Sequence, residues 1–163
     1  RGFRPTTVLV GPGDTRVLVE GFADDVTAEM ARLGAVAAPA PDWPAGPFRG
    51  RISVRPGRVD AVVGRLAAEG VAVLGEAGIG TVHVAAEALA GLEAARRIAS
   101  AADGWLLREA GGGERFDGFG TPLPNAALMA RIKDGLDPAG RCNPGRLPFG
   151  VVEPRDAVDA VAR

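Results

Sequence analysis

An α+β fold built on one antiparallel sheet is predicted for this chain by three observations. Between residues 48 and 110, alternating apolar stretches and stretches of helical spacing follow one another in the order β-α-β-β-α-β. Pro56-Gly57 and the run Gly75 to Gly78 punctuate that order where the chain must turn. Each helical stretch carries a single apolar stripe, so each needs one sheet face to cover. The order is the split βαβ, or ferredoxin-like, pattern, which places both helices on one face of the sheet.

The elements are read in order as follows. Thr6 to Val10 is a short strand ahead of Gly11-Pro12-Gly13, and Arg16 to Phe22 is a second strand. Ala23 to Leu33 reads as a helix, with Val26, Met30 and Leu33 at helical spacing and Gly34 as its C-cap. Ala35 to Pro47 is rich in Ala and Pro and reads as an exposed loop, with Trp43 expected to plug a groove of its own domain. Phe48 to Arg55 is a strand, closed by a turn at Pro56-Gly57. Arg58 to Glu69 is a helix with Val59, Val62, Val63 and Leu66 on one stripe. Val71 to Leu74 and Ile79 to Ala86 are strands joined by a hairpin turn at Gly75-Glu76-Ala77-Gly78. Ala88 to Ala102 is a helix turning Leu89, Leu92, Ala95, Ile98 and Ala99 inward, and Trp105 to Ala110 is the closing strand. The strand and helix before Pro41 are expected to extend this sheet. A C-terminal helix, marked by Leu128, Ile132 and Leu136, completes the fold.

Composition bounds the function. The chain has 163 residues, enough for one domain with a real core; residues 1–150 are assigned to it and 151–163 to a tail. Its 19 basic and 20 acidic residues nearly cancel, which argues against a nucleic-acid partner. The one Cys excludes an internal disulfide and a Cys-based zinc site, and suits a reducing cytoplasm. No apolar run is long enough to span a bilayer, and the N-terminus shows no signal-peptide pattern. The expected location is therefore cytoplasmic, with partners able to hold the protein at the inner face of a membrane. Opening at Arg1 without an initiator methionine, the sequence reads as part of something longer.

The sheet face away from the helices gathers polar residues. Side chains alternate along a strand, so Arg51, Ser53 and Arg55 point opposite to Ile52 and Val54, and Thr81 and His83 opposite to Val82 and Val84. Arg108 joins this face only if Leu106 does too. One reading is a solvated surface. The functional reading is a wall that meets a small anionic substrate, with Arg51, Arg55 and Arg108 facing it. Arg holds a carboxylate through a bidentate fork, and His83 is the candidate base near neutral pH. His83 is the only histidine, with no carboxylate pair beside it in sequence, so no metal is expected.

After the last helix, Asp137-Pro138 ends the helical run, Gly140 permits a reversal, and Asn143 precedes Pro144-Gly145, a dipeptide suited to a tight turn. Asn143 buried and held there would offer one acceptor and two donors in fixed directions, which suits the edge of a planar heterocycle; the other reading is a helix C-cap followed by a turn.

The ordered string Lys133-x-x-x-Asp137-Pro138-x-Gly140-x-x-Asn143-Pro144-Gly145-Arg146 resembles the end of the FAD-linked oxidases of the vanillyl-alcohol oxidase and p-cresol methylhydroxylase superfamily. Within it, the nearest likeness is to the small flavin subunit of the bacterial glycolate oxidases. Cys142 departs from the family, which usually has a bulky apolar residue there. Gly78-Ile79-Gly80-Thr81-Val82-His83 is loosely similar to the Gly-x-Gly-x-x-His segment of related 2-hydroxy-acid dehydrogenases, where the His lies near substrate or a metal. The resemblance implies a C-terminal cap domain of an FAD-dependent oxidoreductase acting on a small 2-hydroxy acid such as glycolate. It implies that Asn143 and Arg146 touch the flavin, and that FAD is held mainly by an N-terminal domain absent from this chain. A second flavin subunit and an iron–sulfur subunit are the implied partners. The chain alone is then expected to be inactive. Gly11-Pro12-Gly13, Gly78-Ile79-Gly80 and Gly111-Gly112-Gly113 do not form a dinucleotide fingerprint. The alternative is a stand-alone ferredoxin-like binding or structural module with no redox role, since the fold hosts many functions.

Overall fold

The computed structural model describes residues 5–113, 117–120 and 125–144. The chain divides into two compact units, Arg1–Gly120 and Thr121–Arg163. In the first, strands β1 (Thr7–Val10), β2 (Thr15–Leu18), β3 (Phe48–Ser53), β4 (Ala72–Glu76), β5 (Thr81–Ala86) and β6 (Trp105–Ala110) accompany helices α1 (Ala23–Leu33), α2 (Val59–Ala68) and α3 (Leu89–Ser100). The second contains α4 (Ala126–Leu136). The strands form one sheet in the order β2-β1-β4-β5-β3-β6, and every neighbouring pair is antiparallel. The chain is therefore α+β.

The two buried helices meet the sheet through residues at helical spacing. Val59, Val62, Val63 and Leu66 of α2 are buried, as are Leu92, Ala95, Ile98 and Ala99 of α3. They share a core with Ile52, Val73, Val82, Val84 and Leu106 from four strands. Gly75 is small because α2 lies directly over it: a Cβ there would stand 2.6 Å from Val59 Cγ1. Every second residue of β3, β4, β5 and β6 is thereby committed to the helix side, and the intervening residues face away.

Several boundaries differ from those read in the sequence. The β4–β5 turn runs from Ala77 to Gly80, because Gly75 and Glu76 are still paired with Val82 and Thr81. β3 stops at Ser53, and Pro56–Arg58 form a single 3-10 turn rather than a simple reversal. β1 and β2 do extend the sheet, beside β4, but α1 buries none of its residues. Gly34 caps α1 in the left-handed region as expected, at φ 61°. Phe22, Leu33 and Val36 around α1 are exposed. No described helix is long and apolar enough to cross a membrane.

Candidate functional site

The face without helices is built in rows by the strand register. One row crosses β4, β5, β3 and β6 as Leu74, His83, Arg51 and Leu107. The next is Glu76, Thr81, Ser53 and Trp105. Directly opposed residues stand within side-chain reach and diagonal ones are reached by long side chains. His83 uses the diagonal: its Nε2 lies 3.2 Å from Glu76 Oε2. Both side chains are about three-quarters covered, at 24% and 25% exposure. The indole of Trp43 stands edge-to-face with the His83 ring, centroids 4.7 Å apart and planes at 80°.

Trp43 reaches that place on the loop between α1 and β3. Arg16 on β2 donates to the Pro39 carbonyl at 2.8 Å, which ties one part of the loop to the sheet edge. At the other end Gly46 lies against β5, where a Cβ would sit 3.1 Å from the Ala86 carbonyl oxygen. The loop thus crosses the open face; Trp43, expected to plug a groove, is instead half exposed and stands as a wall beside His83.

Arg51 and His83 are direct cross-strand partners. Thr81 and Ser53 lie on the same face, one row away. Arg51 Nε is 3.9 Å from Glu109 Oε1, and both side chains are well exposed, so water screens the pair and leaves the guanidinium available to an anion. Arg55 follows the end of β3 and is exposed; its carbonyl accepts the Arg58 amide at 2.8 Å. Arg108 does not join this face. It shares a side with Leu106, which is buried under the helices, and its guanidinium donates to the carbonyls of Gly111 and Gly113. The apolar demand of the core decides that direction, as the Leu106 alternative required. Near it, Arg96 donates to the Asp117 carbonyl at 2.5 Å. Burial lowers the Arg96 pKa, Asp117 counteracts this, and Arg108 lowers it further.

Glu76 was not legible as a site residue. It is seven positions from His83 in sequence, and only the longer β4 strand turns it onto the same face. Among the described residues, no group of three or more His, Cys, Asp or Glu is placed to hold a metal ion.

The second unit offers a different element. α4 ends at Leu136, and Asp137 then collects the chain around its carboxylate. Its Oδ1 accepts the Arg141 amide at 2.9 Å and its Oδ2 the Cys142 amide at 2.8 Å; Lys133 Nζ also donates to Oδ2. The Asp137 carbonyl accepts the Gly140 amide at 2.9 Å, and Gly140 takes φ 64°, the reversal its lack of a side chain permits. Asn143 follows at φ 48°, a region that Asn visits more readily than other non-glycine residues, and it is exposed. Arg146 lies outside the described residues. Cys142 is an exposed free thiol.

The Lys133 hydrogen bond, followed by that from the Cys142 amide, holds the Asp137 carboxyl below its ordinary 3.8, at about 2. A carboxylate whose folded pKa is depressed stabilises the loop above the ordinary value and loses that contribution as pH falls through the folded value. The Arg141 and Cys142 amides are therefore expected to be protected from hydrogen exchange at about pH 5 and to lose protection as pH falls from about 4 to about 2. Asp137→Asn should show the unprotected pattern already at about pH 5. Exchange measured by NMR checks both; equal protection in the variant would remove Asp137 as the anchor.

The three glycine runs can be placed. Gly11 to Gly13 turn β1 into β2, Gly78 to Gly80 turn β4 into β5, and Gly111 to Gly113 follow β6. The first two join strands and so do not open a helix, the position from which backbone amides cradle a pyrophosphate. The exposed Asn143 amide follows the turn that Asp137 holds and offers one acceptor and two donors to a partner group.

No family model matches the chain, and no curated protein or solved structure matches it.

Proposed function

We propose that this chain is the substrate-side cap of an FAD-dependent oxidoreductase that oxidises a small 2-hydroxy acid of the glycolate type. The observation that carries the reading is the cross-strand pairing of Arg51 and His83 on the sheet face left open by the helices. Arg51 would bind the substrate carboxylate and His83 would accept the hydroxyl proton. Arg55, exposed beyond the same strand, would add positive charge at the rim. Asn143 would meet the flavin edge, with Arg146 beside it in sequence. FAD, held mainly by a separate N-terminal domain, would supply the hydride acceptor. A second flavin subunit and an iron–sulfur subunit would carry electrons onward.

The strand order β4-β5-β3-β6, with α2 and α3 over the same core, supports a ferredoxin-like reading of residues 48–110. A second reading is a ferredoxin-like binding or structural module without redox activity, favoured by the exposed apolar residues Phe22, Leu33 and Val36.

Expression of the whole open reading frame separates the two. The oxidoreductase reading expects a yellow protein whose flavin absorbance bleaches on adding glycolate or lactate under exclusion of oxygen. Arg51→Met should leave the colour and abolish most of the bleaching. A colourless product with no affinity for FAD would sink the oxidoreductase reading and leave the binding module.

A further inference from the structure

The histidine of the open face is held more tightly than its place on a polar surface requires. Glu76 lies within hydrogen-bond distance of Nε2, Trp43 packs across the ring, and three-quarters of the side chain is covered. Among the described residues, Nδ1 has no hydrogen-bond partner. A carboxylate beside one ring nitrogen fixes the proton there, and the other nitrogen is left with its lone pair. An imidazole held in this way has one tautomer and one orientation, the arrangement that lets a third group hold a base toward its task.

We propose that Glu76 is a positioning residue for His83: it accepts a hydrogen bond from Nε2–H, so that Nδ1 is the proton acceptor for a hydroxyl on a small carboxylate bound by Arg51. Trp43 limits that site to short ligands by walling one side of the ring. The inference rests on the 2-hydroxy-acid reading of this face. In the step, the hydroxyl O–H bond breaks and an Nδ1–H bond forms. The electron pair stays on oxygen, and the imidazole becomes an imidazolium whose charge the Glu76 carboxylate opposes. Glu76 acts through His83 and need not touch the ligand.

Because the chain has one histidine, its ring can be observed without ambiguity. Long-range proton–nitrogen NMR on the labelled chain, at a pH where the ring is neutral, should show the Nε2–H tautomer alone. A resolved Nε2–H resonance should persist against exchange with water. Glu76→Ala should lose that resonance and bring the two ring-nitrogen shifts toward each other as the tautomers mix. Glu76→Gln, which keeps the shape and a carbonyl acceptor, should retain part of it. An Nδ1–H tautomer in the native chain, or an unchanged spectrum in a folded Glu76→Ala, overturns the positioning role. Glycolate is the probe for the second arm. Its addition should move the Nδ1 shift in the native chain and not in Arg51→Ala. An intact Nε2–H tautomer with no response to glycolate overturns the proton-acceptor assignment and the 2-hydroxy-acid reading together, leaving only the orientation of the ring.

Discussion

Replacing Gly80 with alanine is expected to destabilise the first unit by at least about 3 kcal/mol, the range in which a strained backbone and a steric clash combine. Gly80 has φ 74°, where a side chain is disfavoured, and a Cβ there would stand 2.0 Å from the Val54 carbonyl oxygen. That neighbour is backbone and cannot swing aside. Gly80 also accepts the Val54 amide at 2.8 Å, so the turn between β4 and β5 is stitched to the end of β3 at this point. Relieving the clash would pull the turn off β3 and break the stitch. At roughly 4 °C per kcal/mol, the melting temperature should fall by roughly 12 °C or more. Gly78→Ala is the control: it lies in the same turn with open space around its Cβ position and no positive φ. It should change stability by less than about 0.5 kcal/mol. Similar melting temperatures for the two variants would contradict the placement of the turn.

Ile52→Ala is expected to cost about 2 to 5 kcal/mol, the range for truncating a large buried aliphatic side chain. Ile52 is fully buried, paired with Val82 on one side and Leu106 on the other, beneath helices that cannot close the resulting void without moving. Arg51, the residue before it, points away and is exposed, so Arg51→Ala should stay within about 0.5 kcal/mol of the native stability. Denaturant titration of the two variants measures the contrast. Adjacent residues should differ by at least about 1.5 kcal/mol in cost while only the cheaper change removes the response to glycolate. If Arg51→Ala unfolds the chain, the polar face is structural and its assignment to a ligand fails.

Much of this architecture was legible because periodicity and punctuation agreed. Val59, Val62, Val63 and Leu66 declared the buried face of α2, and Gly34 and the span Trp105 to Ala110 were read at their observed positions. The β4–β5 turn was misplaced because glycine has two uses. Gly75 looked like turn chemistry, yet its missing side chain admits Val59 and Val63 of α2, while Gly80 supplies the positive φ. Sequence cannot tell a glycine needed for conformation from one needed for close approach until the neighbour is known. The stripe of α1 was equally clear as a pattern, but an apolar stripe shows that a face wants cover, not that the same domain supplies it.

The site was legible in part. Alternation along β3 and β5 brought Arg51 and His83 to one face, and register set them opposite each other. Register also decided what alternation left open, by committing Leu106 to the core and taking Arg108 with it. Glu76 escaped because its role depends on a hairpin length, and Trp43 was singled out but its place against His83 depends on the path of a loop. Asp137 had a visible clue, the spacing of four residues from Lys133 on a helix, but its grip on Arg141 and Cys142 belongs to the fold of the loop.

The treatment of the sheet's outer strand has a consequence for how the protein behaves when concentrated. β6 would present unpaired backbone donors along its free side, and a bare strand margin is a template on which a second chain can stack. Here the Arg108 amide is already spent on the Gly118 carbonyl at 2.7 Å, and the Arg108 guanidinium holds the carbonyls of Gly111 and Gly113. Gly111, Gly113 and Gly118 are thereby held to the margin like points along a hem. Arg108→Ala, which keeps the amide but loses the guanidinium's hold on Gly111 and Gly113, is expected to raise light scatter in a sample whose fold is still intact.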